Sequence, residues 1–258
     1  MGLKSKVLSW KDSDCQKRPY LSGSRRQHLA WSIVIALGLL FFLLFLPAYI
    51  RGALLRGLQE HRYLTGMLIG FGVLALSLLW STGQSIDAWV FSYFNLRGNH
   101  PLWLDRMMLG FTQLGNGIFA LLVAVILFMA EIYRLAYELI LGTLTLWLLV
   151  ELIKAIVRRS RPFSKVAGAR IVGPFEHRCS FPSGHTSQVF FMANLLYQYF
   201  HPPFGIACLL FALAVLVAIT RMYVGAHYPR DVLAGLILGS VWGILGIVVD
   251  THFLVAGR

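Results

Sequence analysis

The sequence predicts an all-α fold, a polytopic bundle of transmembrane helices, and three observations carry that prediction. First, 57% of the 258 residues are hydrophobic and 13% are charged, where soluble domains average roughly 45–50% and about 25%. Second, the apolar residues are gathered into runs of roughly 18 or more, the length a helix needs to cross the hydrocarbon core. No polar stretch is left that is long enough to build a separate soluble domain. Third, the net charge of +12 and the pI near 10.0 come largely from the ends and flanks of those runs. In a soluble chain that balance would point to nucleic acid. Beside apolar runs it matches basic loops facing anionic headgroups, so the expected partner is the lipid bilayer and not nucleic acid.

The elements follow in order. Residues 1–30 form a basic, polar tail, read as unfolded or lying on a surface. Trp31 to Ile50 is almost uninterruptedly apolar and no small-residue cleavage site follows, which predicts a membrane helix rather than a secretory leader. With the basic connection through Arg51, Arg56 and Arg62 it makes an additional N-terminal element, 31–62. Residues 63–258 hold the rest. Tyr63 to Trp80 is a second apolar run. From Ser81 to about Leu109, Ile86, Trp89, Val90, Tyr93 and Phe94 recur at helical spacing, and Leu102, Trp103 and Met107 resume it after Arg97-Gly98-Asn99-His100-Pro101. This predicts two amphipathic helices lying in the interface. Further spans are expected at about 112–133, 136–157, 183–200, 204–222 and 232–255, giving seven candidate crossings. Gly235, Gly239 and Gly243 recur every fourth residue, a face that allows close helix contact in lipid. Cys15, Cys179 and Cys208 form no metal-binding or disulfide pattern; a Cys15–Cys179 bridge requires both on an oxidising side.

Three clusters at the ends of apolar runs carry chemistry. Lys154 lies near the end of one run, and Arg161 follows two helical turns on, before Pro162, which disfavours helix at Arg161 and turns its guanidinium out. A point charge and a bidentate fork both suit phosphate oxygens. Arg158 and Arg159 read as snorkelling boundary residues, and Glu151 is placed to pair with Lys154. Pro182-Ser183-Gly184-His185 opens the next run. Ser183 is a candidate cap, free N–H groups there attract an anion, Gly184 allows close approach, and His185 can give a proton to a leaving oxygen. Arg221 ends a further run, His227 follows, and Asp231 stands four residues beyond, where a carboxylate can orient an imidazole that attacks with its other nitrogen. Arg230 reads as an interfacial salt-bridge residue.

In order and spacing, Lys154-x6-Arg161-Pro162, Pro182-Ser183-Gly184-His185 and Arg221-x5-His227-x3-Asp231 resemble the motifs of the type 2 phosphatidic acid phosphatase superfamily, which also holds vanadium haloperoxidases and glucose-6-phosphatase. Thr220 stands where the family usually has serine. The resemblance implies a six-helix core of that family, with Trp31–Ile50 as an extra N-terminal helix. It also implies a metal-independent phosphatase or diphosphatase without cofactor. By that resemblance His227 is the nucleophile, Asp231 orients it, His185 protonates the leaving group, and Lys154, Arg161, Ser183, Gly184 and Arg221 bind the phosphate.

A site at helix ends beside amphipathic segments favours a membrane lipid phosphate as substrate. Phosphatidylglycerol phosphate, phosphatidic acid, undecaprenyl diphosphate and phosphorylated lipid A all fit. Lys165, Arg170, His177 and Arg178 in the following loop are candidates for a second phosphate or a headgroup sugar. The alternatives are a vanadate-dependent haloperoxidase and a non-catalytic lipid-phosphate-binding protein. The expected location is a bacterial inner membrane. The resemblance places the site on the exoplasmic face, whereas the distribution of Lys and Arg argues for the cytoplasmic one.

Overall fold

The computed structural model describes residues 62–176 and 178–253. The expectations for the basic tail, Trp31–Ile50, the connection up to residue 61, Cys15 and His177 lie outside them. The described residues are helical, with no strand: α1 (Arg62–Ser77), α2 (Ser81–Asn95), α3 (Leu102–Thr112), α4 (Gly117–Met129), α5 (Tyr133–Val157), α6 (Gly184–Phe200), α7 (Phe204–Tyr223) and α8 (Pro229–Phe253).

The two segments expected as amphipathic helices form α2 and α3. Ile86, Trp89, Tyr93, Leu102, Trp103 and Met107 are exposed on them, while Asp87, Phe91 and Asn95 are buried. The chain turns through 97° between α1 and α2. The run expected at 112–133 is broken. After α3 a 3-10 turn, Gln113–Gly115, leads into α4 with a 59° bend, and the Asn116 side chain caps α4 by accepting from the Ile118 N–H at 3.1 Å. Among the described residues, Tyr133–Ser164 and Phe204–Tyr223 are long and apolar enough to cross a membrane, and up to four spans result if each bent pair counts as one.

Helix α6 is the centre of the bundle and packs against α4, α5, α7 and α8. One apolar cluster joins Ala124 and Leu127 of α4, Leu139 and Leu146 of α5, Phe191 and Leu195 of α6 and Leu238 of α8; a second joins Val189 and Phe190 to Val217 and Met222 of α7. The outer faces of α4 and α5 expose Ile118, Leu122, Ile126, Leu141, Leu144 and Leu148. Such a surface suits lipid, since the helical backbone already satisfies its own polar groups.

The α6–α8 contact explains the glycine repeat. A Cβ on Gly235 would come 2.6 Å from the Ser183 carbonyl oxygen, and one on Gly239 would come 2.1 Å from that of Ser187. Only a side chain of one hydrogen lets the backbones approach this closely. Polar pairs tie α6 to its neighbours as well: Gln188 Nε2 donates to Thr143 Oγ1 at 2.9 Å and Asn194 Nδ2 to Ser240 Oγ at 3.1 Å. This seam fixes the start of α6, with Ser183 and Gly184, against the start of α8, with Asp231.

Candidate active site

The sequence clusters meet at one end of the bundle. Helix α5 ends at Val157, and Arg158 closes it in the left-handed region at φ 47°. Arg161 is extended, at φ −78° and ψ 158°, ahead of Pro162, which agrees with the steric demand of the proline. Its guanidinium is 4% exposed and held by backbone. Nε donates to the Arg178 carbonyl at 2.6 Å and Nη1 to that of Ala226 at 2.8 Å, leaving Nη1 3.4 Å from His227 Nε2. Lys154 reaches the same place from the last turn of α5. A Cβ on Gly184 would lie 3.8 Å from Lys154 Nζ, which itself donates to Glu151 Oε1 at 3.1 Å.

Ser183 occupies the cap position of α6, yet its hydroxyl caps no backbone N–H and pairs with Thr186 Oγ1 at 2.9 Å. The Ser183 N–H donates to the Asp231 carbonyl at 3.0 Å, which joins the second cluster to the third. His227 follows a tight turn. Its N–H donates to the Arg221 carbonyl at 3.1 Å, and Gly225 sits at φ 87° with room for no Cβ, the Arg170 carbonyl oxygen lying 2.0 Å from where it would be.

A cavity of about 400 Å³ opens here, lined by Lys154, Arg161, Gly184, His185 and His227, with Leu146, Trp147 and Val150 as an apolar wall. Ser183, Arg221 and Asp231 stand behind its surface and are buried. Asp231 Oδ2 is 3.8 Å from His227 Nδ1, beyond hydrogen-bond length, so their attraction is electrostatic here. Burial first, then the Arg161 guanidinium, pushes the His227 imidazole down to about 4, against the pull of Asp231. It is therefore neutral at neutral pH, with a lone pair to offer.

Five contributors carry no motif. Glu176 bridges the arginines: Oε2 is 2.7 Å from Arg161 Nη2, and Oε1 accepts from Arg221 Nη2. Burial alone would raise its carboxyl, but Arg221 and Arg161 outweigh that and hold it well below the usual carboxylate range. Ser180 Oγ donates to Asp231 Oδ2. Arg159, read from sequence as snorkelling, is buried instead, its Nη1 donating to Asp231 Oδ1 at 2.5 Å and its Nη2 to Asp87. Arg230 closes on the same carboxylate, with Nε 2.7 Å from Asp87 Oδ2. Arg158 remains exposed, as a boundary residue would. Asp87 had one signal, a carboxylate inside an otherwise apolar-faced helix; Glu176, in a polar loop, had none.

The basic loop is only partly free for a headgroup. Arg170 is paired with Asp105 at 2.9 Å, Arg178 with Glu151 at 3.0 Å on the cavity wall, and Lys165 is exposed. Asn95 pins the loop, donating to the carbonyls of Tyr223 at 2.7 Å and Arg170 at 3.1 Å and accepting from the Arg170 N–H at 2.8 Å.

A model of the PAP2 superfamily matches residues 135–252, the stretch that holds all three clusters. A lipid A 1-phosphatase of Rhizobium johnstonii is 39% identical over 109 residues, 40% of this chain and 42% of that protein. Phosphatidylglycerophosphatase B of Bacillus subtilis is 31% identical over 150 residues, 53% of this chain and 70% of that protein. The match to the lipid A 1-phosphatase thus spans less than half of that relative's length. Among solved structures, the transmembrane PAP2-type phosphatidylglycerolphosphate phosphatase of Bacillus subtilis superposes with a TM-score of 0.65 at 27% identity, covering 74% of this chain and 96% of that one.

Proposed function

Because this chain belongs to the PAP2 superfamily, we propose that it is an integral membrane lipid phosphatase that removes a terminal phosphate from a lipid phosphate or diphosphate through a phosphohistidine. The observation that carries this reading is the setting of His227: a neutral imidazole on the cavity wall, Nε2 beside the Arg161 fork and Nδ1 toward Asp231.

The chemistry follows from that setting. The phosphoryl group enters among Lys154, Arg161 and Arg221, with the Gly184 N–H and Ser183 as further donors. His227 Nε2 attacks phosphorus, the bond to the lipid oxygen breaks, and His185 delivers a proton to that oxygen. Asp231 stabilises the positive charge that develops on the imidazole. Water then gives a proton back to His185 as it attacks the phosphohistidine, the P–N bond breaks, and inorganic phosphate leaves. Charge spreads over the phosphoryl oxygens in the transition state, so fixed donors supply most of the catalysis.

The apolar wall of Leu146, Trp147 and Val150 supports a lipid as the substrate, its chain remaining among the helices. The named relatives act on lipid A and phosphatidylglycerophosphate, and the substrate falls in that class. We assign the site to the exoplasmic face of a bacterial inner membrane, on the family resemblance and against the charge distribution. Phosphate release from a panel of lipid phosphates, with EDTA present, tests the activity. No release from any of them overturns it. Labelling of Lys165→Cys by an impermeant maleimide in intact cells, above the wild-type background, tests the side; labelling only after lysis overturns it.

A further inference from the structure

The proposed mechanism uses Asp231, whose Oδ2, the oxygen toward His227, accepts from Ser180 Oγ and from the Tyr228 N–H at 2.8 Å. Asp231 is fully buried, and on one side its carboxylate meets Arg159 Nη1 at 2.5 Å. The same guanidinium turns Nη2 to Asp87 and to Gln84 Oε1 at 3.0 Å, both on α2. Its plane is covered by the Tyr228 ring, 4.3 Å from the centroid. Asp87 is fixed in turn by Arg230, whose N–H lies 3.3 Å from Oδ1 and whose Nε lies 2.7 Å from Oδ2. A planar fork bridging two carboxylates defines both distance and direction, which a lysine ammonium does not. The chain of contacts therefore runs from α2 to the nucleophile: Asp87, Arg159, Asp231, His227.

We propose that Asp87 and Arg159 are positioning residues for phosphoryl transfer, setting the place of the Asp231 carboxylate behind His227 from helix α2. The inference rests on the phosphatase reading above. Arg159 is not among the residues that line the cavity, so its loss is expected to act on the turnover step and to leave phosphate binding in place. Misplacement of a reacting group by about 1 Å costs up to roughly 100-fold in rate.

The full-length protein in lipid nanodiscs is assayed with whichever lipid phosphate the wild type turns over fastest. Thermal unfolding checks folding, and orthovanadate inhibition reports the phosphate site. Arg159→Met and Asp87→Asn are expected to lower kcat by about 10- to 100-fold, with KM and the vanadate inhibition constant little changed. Arg159→Lys restores part of kcat, because it keeps the charge but not the fork. A folded Arg159→Met protein with wild-type kcat, or one whose loss lies wholly in KM, overturns the proposal. Should Arg159→Met fail to fold, Gln84→Met decides: it removes one contact to Arg159 without uncovering a charge. A severalfold lower kcat at unchanged KM supports the relay, and an unchanged kcat overturns it. A wild type inactive on every lipid phosphate overturns the phosphatase reading and the relay with it. An active wild type with unaltered variants overturns the relay alone.

Discussion

Glu176 sits against Arg161, its Oε2 2.7 Å from Nη2, and its second oxygen accepts from Arg221. A carboxylate thus holds the two guanidiniums proposed to receive the phosphoryl oxygens, and an entering phosphate must take its place or share those donors. Glu176→Gln removes the competing charge. The expected result is inhibition by orthovanadate or inorganic phosphate that is about fivefold tighter, roughly 1 kcal/mol for one charge contact at a partly screened site. Unchanged or weaker inhibition contradicts this role of Glu176.

The His227 imidazole, pushed down to about 4 by burial and by Arg161, gives a pH prediction. As the proposed nucleophile, His227 must be unprotonated. Activity that depends on it is therefore present above its folded value and lost as pH falls through about 4, not through the usual histidine range near 6.5. The measurement is kcat/KM from pH 3 to 8, corrected for ionisation of the substrate phosphate near about 6. An acid limb at the ordinary histidine value after that correction counts against a neutral, buried His227.

The α6–α8 seam makes a structural prediction. Gly239→Ala puts a methyl group 2.1 Å from the Ser187 carbonyl oxygen, whereas Gly66→Ala on α1 meets nothing within 4 Å. Backbone must shift for Gly239→Ala, at a typical cost of about 1–3 kcal/mol. Thermal unfolding in detergent is expected to fall for Gly239→Ala and to stay near wild type for Gly66→Ala. Equal behaviour of the two would show that the helices do not meet through this glycine face.

Asn95 offers a test of the loop. It is buried and satisfies two carbonyls and one N–H, all from other parts of the chain. Asn95→Leu strands those groups, at about 1–3 kcal/mol each where water cannot reach them. Faster proteolysis between residues 163 and 181, with a raised KM, is expected. Wild-type cleavage rates would mean that the loop is held elsewhere.

Much of the site was legible because charge is scarce in this sequence. Lys154, Arg161, Arg221 and Asp231 stand out at the ends of apolar runs, and Pro162 and Gly184 constrain the backbone by local sterics. What could not be read are partnerships between distant residues. Arg159 meets Asp231 across 72 positions and Arg230 meets Asp87 across 143. Nothing local distinguishes buried Arg159 from its exposed neighbour Arg158; the left-handed turn at Arg158 separates them. Ser183 illustrates the same limit, since its position as cap was readable but its hydroxyl partner, Thr186, depends on how α6 is packed. The break of the 112–133 run at Gly115 and Asn116 was hidden by apolar composition on both sides.

The central claim is that His227 carries the phosphoryl group, and one measurement bears on it directly. Purified protein is mixed with a lipid phosphate labelled with ³²P in its terminal group, quenched in alkali within the first turnover, digested, and the labelled peptide sequenced. The account predicts alkali-stable, acid-labile label on the peptide containing His227 and none in His227→Ala, which also releases no phosphate. Label on another residue, or phosphate release by His227→Ala at the wild-type rate, would contradict it.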